Sequence, residues 1–180
     1  MSDNSNTNPW VPLEEEKAEV KNTNWVSNWQ SSPACEIKFK KTNDDAILPR
    51  KAHPDSKTGD TGYDLFAVED TTIPAGGSAV VPVGLTLADI TPGYWFRIEP
   101  RSGLGFKHGL QPHLGVIDNP YRGDLGVKLY NFGSKDVIIP KGSGVAQIVV
   151  YKIVDSAVSF TDEVSDTDRG EAGFGSTGGA

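Results

Sequence analysis

The feature that most limits what this chain can become is how short its apolar runs are. From Cys35 to about Val154 the chain runs as short apolar stretches broken by glycine and proline, among them Ala79 to Val83, Gly93 to Glu99, Gly126 to Tyr130, Val137 to Ile139 and Val145 to Val154. Turn signals stand between them at Pro74-Ala75-Gly76-Gly77, Thr91-Pro92-Gly93, Phe132-Gly133-Ser134-Lys135 and Pro140-Lys141-Gly142. No part of this region keeps a helical period for more than about two turns. In Tyr94-Trp95-Phe96-Arg97-Ile98-Glu99, residues Tyr94, Phe96 and Ile98 share one face and Trp95, Arg97 and Glu99 the other, which is the period of a strand. Many short strands separated by Gly/Pro turns predict an all-β domain over residues 35–155, built as a sandwich, jelly roll or barrel.

With 180 residues the chain holds one such domain plus tails. A domain of that size buries about 70% of its unfolded surface and needs no covalent staple. The single cysteine, Cys35, excludes an internal disulfide or a cysteine-based zinc cluster. Seventeen Lys+Arg against 24 Asp+Glu give a formal charge of −7, which argues against duplex nucleic acid as a partner. No apolar stretch reaches the roughly 20 residues of a membrane span, and the first residues lack the basic and apolar regions of a signal peptide. The expectation is therefore a protein of the cytoplasm or another intracellular compartment (the host cytoplasm for a viral chain), without direct nucleic-acid or membrane binding. Any phosphate chemistry must be done in a small local site.

Residues 1–34 are polar and rich in Asn and Ser, and read as a mobile extension with a short helix as an option between Leu13 and Lys21. Trp10, Trp25 and Trp29 lie in it, either packed onto the parent domain or serving as anchors for a protein partner. Residues 156–180 turn acidic and then glycine-rich. Arg169, Phe174, Ser176 and Thr177 stand among these glycines. A plain flexible tail is one reading. The other is a flap whose backbone amides, guanidinium and hydroxyls close on phosphate oxygens.

Four constellations in the core carry chemistry. Pro100-Arg101-Ser102-Gly103 ends a strand and opens a short helical segment, Ser102 to Leu110, with Ser102 as its expected N-cap and Arg101 beside an anion-attracting helix end. Thr61-Gly62-Tyr63-Asp64-Leu65 places a carboxylate at the start of a strand. Gly115-Val116-Ile117-Asp118-Asn119-Pro120-Tyr121-Arg122-Gly123 reads as a β-hairpin that fixes Asp118 at its tip, either as a turn residue or as a general base. Gly144-Val145-Ala146-Gln147-Ile148 sets one amide in an apolar strand, where Gln147 needs a partner in the protein or a ligand.

These four segments, with Arg169-Gly170-Glu171-Ala172-Gly173-Phe174-Gly175-Ser176-Thr177-Gly178 as a fifth, resemble in order and spacing the five motifs of the homotrimeric dUTPase family. The resemblance covers roughly residues 36 to 178. It implies a jelly-roll or distorted-barrel trimer with swapped C-terminal arms. That trimer would cleave dUTP to dUMP and pyrophosphate, limiting uracil in DNA and supplying dUMP for dTMP synthesis, with Mg²⁺ held by the triphosphate and water rather than by protein ligands.

Carried over by position, the resemblance makes Asp118 the base for the attacking water. Arg101, Ser102, Gly103 and Gln147 would hold phosphate, and Arg169, Ser176 and Thr177 would grip the γ-phosphate. His113, Leu114, Gly115, Val116 and Ile117 would line the uracil, Tyr121 would lie under the deoxyribose, and Phe174 would cover the base. Asp64 would act indirectly, through waters near the metal and the sugar pocket. The chain departs from the usual pattern at Thr61, Pro112, Pro120, Ala172 and above all Gly144, where the family commonly carries Arg. A dCTP-acting relative and a nucleotide-gated interaction protein on the same scaffold are the alternatives.

Overall fold

The computed structural model describes residues 34–55, 58–168 and 170. The extension carrying the tryptophans, and Arg169, Phe174, Ser176 and Thr177 of the arm, lie outside the described residues. Ten strands and one helix follow in order: β1 (Ile37–Lys41), β2 (Tyr63–Phe66), β3 (Thr71–Ile73), β4 (Ser78–Ile90), β5 (Tyr94–Glu99), α1 (Ser102–His108), β6 (Leu110–Pro112), β7 (Gly115–Ile117), β8 (Asp124–Asn131), β9 (Val137–Ile139) and β10 (Gly144–Lys152). No helix among the described residues is long and apolar enough to cross a membrane.

The strands form two four-stranded sheets, ordered β1-β4-β8-β6 and β2-β10-β5-β7, and a two-stranded ribbon of β3 and β9, all antiparallel. This all-β, jelly-roll-like arrangement is the class that the short alternating runs predict. Alternation places Val81, Val83, Val127 and Leu129 of one sheet and Leu65, Phe96, Ile98 and Ile148 of the other in a shared core. Each fully buried side chain of this kind stabilises the fold by about 1.5–3 kcal/mol. Phe39 of β1 meets Phe96 of β5 edge to face, with centroids 6.2 Å apart, so the two sheets touch through aromatic rings. The one fully buried polar side chain among the described residues is Asn131. It donates from Nδ2 to the carbonyls of Ile73 (3.0 Å) and Lys135 (2.9 Å) and accepts from the Gly133 amide (2.9 Å).

Two local expectations need correction. The Ala79–Val83 run extends to a 13-residue strand, because the apparent stop at Pro82 and Gly84 is absorbed as a bulge. Gly84 takes φ +65° there, and a Cβ would press on Asn43, Val68 and Ala46. The segment around Asp118 is not a β-hairpin. β7 pairs with β5 in one sheet, while β8 pairs with β4 and β6 in the other. The tight Asp118–Tyr121 turn therefore carries the chain from sheet to sheet.

Candidate active site

Two clusters of candidate residues form at opposite corners of the β2-β10-β5-β7 sheet. The first is built where β5 runs out. Arg101 keeps an extended backbone, and its carbonyl accepts the first helical bonds, from Leu104 and Gly105. Arg101 is therefore the N-cap of α1, in place of the expected Ser102, and no side chain caps the helix. The helix closes at Gly109, which adopts φ +65°, a conformation suited to glycine.

Arg101 turns back over β10 and β2. Its Nε lies 3.0 Å from Asp64 Oδ1, and its Nη1 donates to the Gly144 carbonyl at 2.8 Å. Gln147, on β10, donates from Nε2 to the Pro100 carbonyl at 2.9 Å, so the partner its half-buried amide finds is main chain. Two glycines make room for this arrangement: a Cβ on Gly62 would strike Gln147 Oε1, and one on Gly144 would strike the Arg101 guanidinium. Asp64 is held above the ordinary aspartate range, chiefly by burial, with the Arg101 charge opposing the shift. A cavity of about 420 Å³ is lined by Pro100, Arg101, Ser102, Gly105, Phe106, Gln111 and Gln147. Arg101, Ser102 and Gln147 are thus brought together as expected, with Gly103 in the first turn beside them. Asp64 joins the cluster as the ion-pair partner of Arg101.

The second cluster lies at the far edge, where β7 is the terminal strand. Its outer backbone edge has no strand neighbour among the described residues, so the amide and carbonyl groups that alternate residues of Gly115–Ile117 turn away from β5 face outward. His113 donates its amide to the Lys128 carbonyl at 2.7 Å, and Leu114 is half-exposed. Beyond Ile117 the turn is pinned by Tyr121 N–H donating to the Asp118 carbonyl (3.0 Å) and Tyr121 O–H donating to the Asp124 carbonyl (2.9 Å). Asn119 fixes its base: Nδ2 reaches the carbonyls of Tyr94 (3.0 Å), at the start of β5, and Thr91 (3.2 Å), on the β4–β5 connection. Asp118 is thereby presented to solvent from a rigid loop. Asn119 was legible only as a turn residue, since nothing local in sequence shows a side chain bridging 25 positions.

The two clusters do not meet within one chain. Ile117 pairs with Phe96, so Asp118 sits beside the start of β5, whereas Arg101 lies past its end. Six extended residues separate those points, on the order of 20 Å. The guanidinium also points toward β10 and β2, away from β7.

The dUTPase family matches residues 49–178. Among known proteins, the chain is 41% identical over 148 residues to the deoxyuridine 5'-triphosphate nucleotidohydrolase of Arabidopsis thaliana, covering 82% of this chain and 86% of that one. It is 45% identical over 120 residues to that of Paramecium bursaria Chlorella virus 1, covering 67% and 84%. Among solved structures it resembles the dUTPase of Staphylococcus bacteriophage 80alpha in complex with dUpNHpp, with a TM-score of 0.70 and 27% identity over 79% of this chain and 98% of that one. With the family match spanning residues 49–178 and relatives about 40% identical over most of its length, the chain belongs to the dUTPase family.

Proposed function

We propose that this chain hydrolyses dUTP to dUMP and pyrophosphate, as an intracellular homotrimer in which each active site draws on more than one copy. The observation that carries the reading is the separation of a phosphate-binding corner, at Arg101, Ser102 and Gln147, from a base-binding and catalytic corner, at Gly115–Ile117, Asp118 and Tyr121. A single chain cannot bring both to one nucleotide, whereas symmetric copies placing one corner against the other can.

In the assembled site the open edge of β7 hydrogen-bonds the pyrimidine, which distinguishes bases by their donor and acceptor pattern. The Tyr121 ring, held by its hydroxyl at the Asp124 carbonyl, lies under the sugar and leaves no room for a 2′-hydroxyl. Asp118 takes a proton from water, and the resulting oxygen attacks the α-phosphorus. The bond from that phosphorus to the bridging oxygen breaks, and pyrophosphate leaves with the bonding electrons. Arg101 neutralises charge on the phosphates as it develops, which is most of what a protein must supply in phosphoryl transfer. Among the described residues no group of three or more His, Cys, Asp or Glu could hold a cation, and Asp64 is engaged by Arg101. Mg²⁺, held by triphosphate oxygens and water, would offset the charge of the triphosphate when bound. The glycine-rich arm, with Arg169, Phe174, Ser176 and Thr177, closes over the nucleotide, and the N-terminal extension is available to a protein partner.

The test is pyrophosphate release from dUTP, dCTP, dTTP and UTP in parallel, followed by mixing of two inactive chains. Release from dUTP alone is expected. Asp118→Asn and Arg101→Ala chains, denatured and reassembled together, should regain activity in roughly one site in four by random assortment of symmetric copies. Pyrophosphate release from dCTP as well would move the assignment to a dCTP-acting relative, and no recovery on mixing would place the whole site in one chain.

A further inference from the structure

A second cavity, of about 300 Å³, shares Arg101, Ser102 and Gln147 with the first and adds Ala52, His53, Asp60 and Asp64 to the wall. It extends the phosphate corner toward the segment that leads into β2. His53 and Asp60 are locked together there. The His53 amide donates to Asp60 Oδ2 at 2.8 Å, and the Asp60 amide donates to the His53 carbonyl at 2.9 Å. Both carboxylate oxygens stand 3.3 Å from His53 Nδ1. The backbone bonds fix where the two side chains begin, and the carboxylate orients the ring by one nitrogen, leaving Nε2 as the nitrogen presented outward. The His53 side chain is 81% exposed, so packing gives no reason for such careful placement. Asp60 is kept below the usual carboxylate range, first by the His53 amide, and so remains a negative partner for the ring.

The cations nearby are already committed. Arg50 lies over the Phe66 ring at 5.1 Å and Lys51 over the Tyr63 ring at 4.9 Å. Arg101 spends Nε on Asp64 and Nη1 on Gly144, and Asp64 offsets its charge. A triphosphate lying along this wall meets an Arg101 guanidinium already paired with Asp64, and the His53 ring stands in the same wall.

We propose that His53, oriented by Asp60, is a binding residue for the distal phosphates of the nucleotide, donating from Nε2 to oxygens remote from the base. This rests on the dUTP reading above and adds a contact outside the five family motifs. With Nδ1 against a carboxylate, Nε2 donates only from the imidazolium, so the contact is a charge-assisted one.

The experiment is equilibrium binding of the imido analogue dUpNHpp and of dUMP to the full chain, its His53→Gln variant and its His53→Lys variant. His53→Gln should weaken dUpNHpp about tenfold, the loss of one charge-assisted hydrogen bond, and leave dUMP within about twofold. His53→Lys should restore most of the loss by returning a cation. Unchanged dUpNHpp affinity in His53→Gln would overturn this proposal alone, as would equal losses for dUpNHpp and dUMP. Failure of the unaltered chain to bind dUpNHpp would overturn the dUTP reading and the proposal with it.

Discussion

The guanidinium of Arg101 occupies the space that a side chain at position 144 would fill, while its Nη1 donates to the carbonyl of that same Gly144 at 2.8 Å. The absence of a side chain and the presence of an acceptor thus fix the guanidinium proposed to bind phosphate. Gly144→Ala should raise KM for dUTP about tenfold by displacing Arg101. Because the displaced atoms end a flexible side chain, the stability loss should stay under about 1 kcal/mol. Gly144→Arg, the family's common residue, should be worse in this chain rather than better. Steady-state kinetics with thermal melting of both variants decides it, and unchanged KM in Gly144→Ala would show that Arg101 acts from another position.

Asp118→Asn keeps the shape of the Asp118–Tyr121 turn and removes its base. Turnover should fall by about 10²–10⁴, with dUpNHpp binding retained. Near-normal kcat would assign proton abstraction to another group.

Tyr121 is the predicted gate against ribonucleotides. Tyr121→Ala should reduce the preference for dUTP over UTP by about 10–100-fold, measured as a ratio of kcat/KM. The variant should also melt lower, since the hydroxyl's bond to the Asp124 carbonyl goes with the ring. An undiminished preference would remove the gate assignment.

Burial raises the Asp64 pKa above 3.8, against the pull of Arg101. A carboxyl that holds its proton more tightly folded than unfolded loses stabilising effect as pH rises through that window, from about 4 upward. Unaltered protein should therefore lose melting temperature relative to Asp64→Asn as the pH is raised from about 4 toward neutrality. Parallel melting curves across that range would mean that the Arg101 pair fully offsets the burial.

How much of this was legible in advance follows from what each signal measures. Two-residue alternation around Phe96 and Ile98 reports which face is buried, and it placed β5 correctly. The resemblance grouped Arg101, Ser102 and Gln147 around phosphate, and these three do line one cavity, but it did not foretell how far Asp118 and Tyr121 lie from them in the same chain. A turn motif reports where the chain reverses, not which sheet it enters next, so Asp118-Asn119-Pro120-Tyr121 looked like a hairpin and is a crossing between sheets. Pro82 and Gly84 looked like a strand end because a bulge uses the same residues. The pairing of Arg101 with Gly144, and the Asn119 amide on the Tyr94 and Thr91 carbonyls, join positions far apart in the chain and carry no local pattern.

The open edge of β7 has a consequence for solubility. Outward-facing amides and carbonyls on an edge with no strand neighbour among the described residues can receive a strand from another molecule and seed sheet growth. Here that hazard is contained by length and by proline. β7 has three residues, Pro112 ends the strand before it, and Pro120 lies in the turn after it. A peptide seeking to extend the sheet would find hydrogen-bonding room for little more than a nucleobase.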